Sequence, residues 1–67
     1  MKSIQLNDRV LILSTPNTSY KTYIGSIGQV KRILIDDKGQ PYHVNVKLID
    51  RSIVIDVKYL QVLDKND

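Results

Sequence analysis

Seven consecutive residues in the middle of the chain, Tyr42–Leu48, alternate strictly between apolar and polar side chains. The apolar members are Tyr42, Val44, Val46 and Leu48. A period of two is typical of a β-strand with one face in the core and the other in solvent. Turn-forming clusters bound this segment, Asp36–Gly39 before it and Ile49–Ser52 after it, and Gly39 suits a left-handed conformation. The pattern therefore predicts a strand between two hairpin turns.

Composition extends this prediction to the whole chain. Isoleucine and valine occupy nine and seven positions, whereas alanine and glutamate, two strong helix formers, are absent. With 67 residues, 42% of them hydrophobic, the chain is long enough for one small domain but not for two. It has no cysteine, which excludes disulfides and thiolate metal sites. We therefore expect a single all-β domain over residues 1–67, with a frayed tail at 64–67.

The other apolar runs complete a set of five strands. They are Arg9–Leu13, Val30–Ile35, Ile53–Val57 and Gln61–Leu63. The polar segment Ser14–Tyr23 is expected to be a long exposed loop, and Lys58–Leu60 suits a single 3₁₀ turn. Gly25 and Gly28 lie where the second strand should begin, which indicates a positive φ or a tight bend there. Short strands in this arrangement predict a small five-stranded SH3-like barrel with a 3₁₀ turn before its last strand; an OB-fold is the alternative.

Residues that could support catalysis are few. His43 is the only histidine, and its place on the polar side of a regular strand favours a solvent-facing residue over a general base. Asp36 and Asp37 belong to a tight turn on which neighbouring side chains point apart, so turn formation is favoured over metal binding. The segment Gly25–Gly28 lacks the Gly-Lys-Ser/Thr ending of a phosphate-binding loop. We expect a protein that is not an enzyme and that has no metal, cofactor or small-molecule substrate.

No segment is expected to insert into a membrane. The longest uninterrupted aliphatic run is Val10–Leu13, and a spanning helix needs about 20 apolar residues. The sequence thus predicts a soluble intracellular protein, and the lack of cysteine does not separate the cytoplasm from an organelle interior.

Three surfaces are candidates for partner binding. In the first, Tyr20, Lys21 and Tyr23 of the loop interleave aromatic and basic groups with Lys31 and Arg32 of the next strand, as single-strand nucleic-acid binders do. Alternatively, the two tyrosines cap the open end of the core.

The second surface is one side of the first strand. Arg9, Leu11 and Leu13 lie on one face and Val10 and Ile12 on the other, so one aliphatic pair must be poorly covered in so small a domain. Exposed Leu11 and Leu13 would mark a protein contact. The third surface is either a basic outer face or an ordinary solvated one, and the formal net charge of +3 fits both. Its residues are Lys31, His43, Lys47 and Arg51.

The segment Asp8–Ile12, a loop and then Ile24–Val30, in which Gly28 precedes Val30, resembles the opening of many small SH3-like barrels, including KOW domains. The ten-residue loop, the Gly39 hairpin and the closing segment Tyr59–Leu63 further resemble small accessory subunits of photosynthetic electron transfer. The layout is most similar to that of the PetP subunits of the cytochrome bf complex, and more distantly to PsaE of photosystem I and the variable chain of ferredoxin-thioredoxin reductase.

The chain also departs from these families. Ile55–Val57 stands where PetP subunits have an aromatic pair, and the Arg-Pro-Glu-Ser-Tyr-Trp stretch of PsaE is missing after Leu13. The reductase chain is disfavoured because it is usually acidic, whereas this chain is basic.

The resemblance implies a non-catalytic accessory subunit that docks on a larger, membrane-bound electron-transfer complex. Such a subunit would be soluble in the cytoplasm or the plastid stroma and peripheral on the thylakoid membrane. The residues expected to contact the partner are Leu11, Leu13, Tyr20, Lys21, Tyr23, Lys31, Arg32 and Lys47.

The alternative is a KOW-type RNA- or DNA-binding module, in which Tyr20 or Tyr23 stacks on a base. Its phosphate contacts would come from Lys21, Lys31, Arg32 and Lys47. A small phage or plasmid regulatory protein on the same barrel is a third possibility, because a fold does not assign a function. The character of the face with Leu11 and Leu13 distinguishes the docking subunit from the nucleic-acid module. Docking needs apolar area, whereas phosphate binding needs continuous positive charge.

Overall fold

The computed structural model describes residues 4–63, and its five strands form one antiparallel sheet. The strands are β1 Arg9–Ile12, β2 Ile27–Ile35, β3 Pro41–Lys47, β4 Ser52–Asp56 and β5 Leu60–Val62. Their order in the sheet is β4-β3-β2-β1-β5, so four strands form a meander and β5 returns beside β1. A 3₁₀ helix, Val57–Tyr59, makes this return possible. The predicted all-β, SH3-like barrel is confirmed; the tail predicted at 64–67 lies outside the described residues.

Among residues 4–63, eight buried aliphatic side chains form the core. They are Val10, Ile12, Val30, Val44, Val46, Leu48, Ile53 and Ile55. Val10 and Ile12 are 0% and 1% exposed, so they form the buried face of the first strand, which the sequence had left undecided. Because side chains alternate along a strand, Leu11 and Leu13 face outward. Ile53 and Ile55 are the buried positions of β4, whereas Val57, predicted as the last residue of this strand, belongs to the 3₁₀ helix.

Gly28 allows two parts of the sheet to approach each other closely. A Cβ at this position would lie 2.9 Å from the Lys47 carbonyl oxygen and against the side chains of Val46 and Leu48. The strand β2 begins at Ile27, before Gly28, so this glycine lies inside the strand and has no positive φ. The sequence predicted a positive φ or a tight bend in this region, and a positive φ of 91° is found at Gly25.

A β-bulge at Lys31 changes which side chains of β2 face the core. Val30 pairs with Val46, whereas Arg32 pairs with Asn45, so Lys31 is an extra residue without a partner on β3. Val30 faces the core before the bulge, and both Lys31 and Arg32 are exposed. The bulge therefore places two adjacent cations on the outer surface.

A second register shift explains why Tyr42 is not part of the core. Leu34 pairs with His43 and Ile35 with Pro41, which leaves Tyr42 as the extra residue. Its side chain is 41% exposed, so the prediction that Tyr42 shares the buried face of β3 is wrong. The other three members of that face, from Val44 to Leu48, are buried as predicted.

The connection between β1 and β2 is more ordered than the predicted exposed loop. It contains a 3₁₀ helix, Thr18–Tyr23, and the Asn17 side chain caps this helix by accepting a hydrogen bond from Ser19 N at 2.9 Å. Side chains three residues apart share one face of a 3₁₀ helix. Tyr20 and Tyr23 therefore both pack against the core, in a segment that was predicted to be an exposed loop because it has no hydrophobic periodicity.

We expect the Gly28→Ala variant to be less stable than the wild type by about 1–3 kcal/mol, because the added methyl group overpacks the contact with Val46 and Leu48. In thermal unfolding, each kcal/mol corresponds to a decrease in Tm of roughly 4–8 °C for a domain of this size. The exposed Lys31→Ala change in the same strand is the control and should alter stability by no more than about 0.5 kcal/mol. Equal Tm values for the two variants would contradict the close approach at Gly28.

Candidate functional site

An apolar surface lies on the outer side of β1 and β2. We call Leu11, Leu13, Ile27 and Ile49 the outer strip. Leu11 and Ile27 are direct cross-strand partners, and Leu13 and Ile27 are 48% and 49% exposed. Ile49, in the turn between β3 and β4, is fully exposed and lines the same shallow cleft of about 470 Å³ as Ile27. Aliphatic side chains grouped in this way on a small domain are typical of a contact surface.

Basic and polar side chains border the outer strip on one side. Arg9 pairs with Gln29, and Gln29 pairs with Lys47, so the three residues form a row across β1, β2 and β3. This row lies directly beside the Leu11–Ile27 pair, and Arg9 and Lys47 line the cleft together with Ile27 and Ile49. An apolar centre with a polar, charged rim is the usual composition of a protein interface.

The two loop tyrosines connect the first 3₁₀ helix to the turn between β3 and β4. The Tyr23 hydroxyl donates to the Asp50 carboxylate, with oxygens at 3.1 and 3.2 Å. The Arg51 guanidinium carbon lies 5.6 Å from the centre of the Tyr20 ring. Both rings are half-buried against the core, and Lys21 between them is exposed. Of the two roles considered for these tyrosines, capping the open end of the core is the one that this packing favours.

The remaining predicted cations do not all lie together. Lys31 and Arg32 are exposed at the bulge, where Arg32 is opposite Asn45. Lys47 belongs to the row beside the outer strip, whereas Arg51 contacts Tyr20 at the end of the barrel. Arg51 is therefore not part of the basic outer face proposed from the sequence.

A second concavity, which the sequence interpretation missed, lies between the first connection and the second 3₁₀ helix. Its volume is about 230 Å³. The side chains that line it include Pro16, Tyr20, His43, Val54, Asp56 and Tyr59. We call it the tyrosine groove. The sequence contains one indication of this groove: Asp56 stands where it can cap the 3₁₀ helix that ends in Tyr59. It contains no local indication that Tyr20 would lie on the opposite side.

Within the groove, His43 faces Asp56 across β3 and β4, and the ring of Tyr42 lies edge-on to His43 at 4.6 Å. Among residues 4–63, no three histidine, aspartate or glutamate side chains are close enough together to hold a metal ion. Over the same residues, neither 3₁₀ helix has the length and apolarity needed to cross a membrane.

No protein-family model, no curated protein and no solved structure matches the chain. We therefore infer function from the residues themselves and from their arrangement.

The hydrogen bond between Tyr23 and Asp50 should couple the first 3₁₀ helix to the β3–β4 turn. We expect a double-mutant cycle of Tyr23→Phe and Asp50→Ala, measured by urea unfolding, to give a coupling free energy of about 0.5–1 kcal/mol, because the bond is solvent-exposed. Pairing Tyr23→Phe with the exposed Asp37→Ala is the control and should give additive effects. Additivity in both cycles would mean that the contact does not hold the helix in place.

Proposed function

We propose that this protein is a non-catalytic accessory subunit that docks on a larger protein complex through the outer strip. The proposal rests on one observation: Leu11 pairs with Ile27 on the outer surface, although the buried sides of the same strands already provide the core. Leaving aliphatic side chains in water is unfavourable by about 25 cal/mol for each Å² of apolar surface. Docking would remove that surface from water.

The border of the outer strip indicates the chemistry of the partner. Arg9 and Lys47 lie beside the apolar residues, so a complementary surface would have an apolar centre next to carboxylates. The cations would orient the subunit and increase its association rate, whereas most of the affinity would come from the buried aliphatic side chains. The formal net charge of +3 is consistent with attraction to an acidic partner.

The resemblance to PetP subunits supports a complex of photosynthetic electron transfer, of the cytochrome bf type, as that partner. The subunit would then be peripheral on the thylakoid membrane. Its role would be structural or regulatory, since the outer strip and its basic border offer a surface for docking.

The bulge in β2 favours one second candidate, a KOW-type nucleic-acid module. It exposes Lys31 and Arg32 side by side, with Asn45 opposite Arg32 and Lys47 further along β3. Three cations around a polar centre could follow a phosphate backbone. We favour docking because the half-buried Tyr20 and Tyr23 offer less ring surface for stacking than this alternative requires.

We expect Ile27→Asp to reduce co-purification with the partner complex by more than about tenfold, because it places a charge in the apolar centre of the contact. The tagged full-length chain would be expressed in its own cells, and retained proteins identified by mass spectrometry after nuclease treatment and mild detergent. Ile35→Asp is a matched control, since Ile35 lies in the same strand, is 58% exposed and lies far from the outer strip.

Recovery of cytochrome bf or photosystem subunits with the wild type and Ile35→Asp, but not with Ile27→Asp, would support the proposal. Equal recovery with all three chains would exclude the outer strip as the contact. If only ribosomal or transcription proteins were recovered, the photosynthetic assignment would be wrong.

For the nucleic-acid alternative, we expect three phosphate contacts by Lys31, Arg32 and Lys47 to give a slope of about −2 for log affinity against log salt on single strands. Anisotropy of a labelled RNA of about fifteen nucleotides would then show about a fifteenfold loss of affinity from about 50 to about 200 mM salt. Removing two contacts, with Lys31→Gln and Arg32→Gln, should reduce the slope to about −0.7. The exposed Lys38→Gln is the control, and no measurable binding at low salt would exclude this function.

A further inference from the structure

We propose that this protein forms a symmetric dimer in which the free edge of β2 pairs, antiparallel, with the same edge of a second copy. β2 pairs with β1 only as far as Gln29. The next backbone hydrogen bonds on this side of the strand join Val30 to Asn7 and Asp8. Among residues 4–63, the rest of the strand, Lys31–Ile35, pairs with β3 alone. No residue of the outer strip belongs to this edge, so the proposal does not depend on the docking function.

The free edge of β2 can accept another strand. An unpaired edge presents a row of backbone N–H and C=O groups, and many proteins protect such edges with charged side chains. Here the charges lie at one end, whereas the centre of the edge is aliphatic. Leu34 is 37% exposed and Ile35 is 58% exposed. Pairing with a second strand would satisfy the backbone groups and cover these two side chains.

The sequence of this edge is complementary to itself when it is read in the opposite direction. Two cations precede three aliphatic residues, and two acids follow them: Lys31, Arg32, Ile33, Leu34, Ile35, Asp36 and Asp37. An antiparallel pair centred on Leu34 places Arg32 opposite Asp36 of the second copy. The same pair places Lys31 opposite Asp37 of the second copy. A two-fold axis repeats each of these contacts, so four oppositely charged pairs surround an aliphatic centre.

The faces of the strand agree with this arrangement. Ile33 pairs with the buried Val44 and packs partly against the core, so its neighbours Arg32 and Leu34 face outward. In an antiparallel pair, residues directly opposite each other point to the same face. Arg32 would therefore meet Asp36 of the second copy on the outer face, next to the contact between the two Leu34 side chains.

The charges specify one register for the pairing. In the register centred on Leu34, Ile33 lies opposite Ile35 of the second copy, and every charge has an opposite charge as its neighbour. A shift by one residue would place either Asp36 opposite Ile33 or Arg32 opposite Ile35. It would also turn the two inner faces to opposite sides of the joined sheet. Mismatches of this kind disfavour the alternative registers.

Asp36 is already held in position for this contact. Its Oδ1 accepts hydrogen bonds from Lys38 N and Gln40 N, both at 2.9 Å, within the turn that follows β2. A carboxylate has about four acceptor sites, so it can accept from a guanidinium as well. Because the side chain is already ordered, it loses little conformational entropy when it binds Arg32 of the second copy.

The dimer should be weak and concentration-dependent. Short strands bury a small area, and each exposed ion pair contributes little. We expect dimers to predominate above about 100 μM and monomers below about 1 μM. Sedimentation velocity of the full-length protein between these limits would measure the equilibrium. The increase in mass should stop at two copies, because the pairing uses the free β2 edge of both.

Substitutions at exposed aliphatic positions test which surface is used. Leu34→Asp should weaken self-association by at least about tenfold, because it places two carboxylates opposite each other at the two-fold axis. Ile27→Asp in the outer strip and Val54→Asp on β4 are matched controls, since both positions are about half exposed. They should leave the dimer unchanged. Leu34→Thr keeps a residue that favours strands, and should weaken the dimer by about twofold to fivefold even if Leu34→Asp fails to fold.

A charge exchange tests the ion pairs. Lys31→Glu and Asp37→Lys should each weaken self-association by about fivefold or more, because each creates two like-charged contacts. Mixing the two variants restores opposite charges at both contacts, so the mixture should form a heterodimer about as stable as the wild-type dimer. Lys38→Glu, at an exposed position outside the pairing, is the control for the change in net charge.

The register can be tested by cross-linking, because the natural chain has no cysteine. Under mild oxidation, Leu34→Cys should form a disulfide-linked dimer, since residues opposite each other in an antiparallel pair have Cβ atoms about 4.5–5.5 Å apart. Val54→Cys is the control and should remain monomeric at the same concentration.

Several outcomes would overturn the proposal. A monomer at every concentration would exclude the dimer. Self-association that Ile27→Asp or Val54→Asp abolishes and Leu34→Asp does not would assign it to another surface. Assemblies larger than two copies, or no recovery in the mixture of charge variants, would exclude the two-fold pairing of this edge. Loss of partner recovery without loss of the dimer would concern the outer strip alone, so the two proposals can fail separately.

Discussion

The curvature of β2 is the feature on which the rest of the structure depends. This nine-residue strand pairs with β1 over its first part and with β3 over most of its length, so it belongs to both halves of the sheet. Gly28 allows the two halves to approach closely, and the bulge at Lys31 re-aims the strand afterwards. Both features help the short strands of this sheet to curve around the core.

The same devices determine the chemistry of the surface. Since the bulge adds one residue, Lys31 and Arg32 are both exposed where strict alternation would have turned one of them inward. On the other side of Gly28, Ile27 faces outward beside Leu11, because the inward positions are taken by Val10 and by the glycine itself. A cationic segment and an apolar strip thus lie on one face, and their separation follows from the geometry of a single strand.

Closure of the barrel produces the second surface. The first connection and the second 3₁₀ helix lie far apart in sequence, yet both cover the end of the core and bring Tyr20 and Tyr59 to the same groove. The contacts of Tyr23 with Asp50 and of Arg51 with Tyr20 hold the first connection in place. In a domain with so small a core, such contacts at its ends contribute a larger share of the stability than they would in a larger protein.

Much of this protein is determined by local sequence. The strands and the fold could be predicted from three signals: the alternation along β3, the turn residues on each side of it, and the number of isoleucines and valines. These signals act between near neighbours in the chain. They also left two possible choices for the buried face of the first strand. Three other features were decided only by the tertiary structure. It buries Val10 and Ile12, makes Lys31 and Tyr42 the extra residues of the two register shifts, and orders Thr18–Tyr23 as a 3₁₀ helix. Each of these depends on which distant strand or helix covers a residue, and a one-residue shift in pairing turns a side chain to the opposite face without leaving a trace in local periodicity.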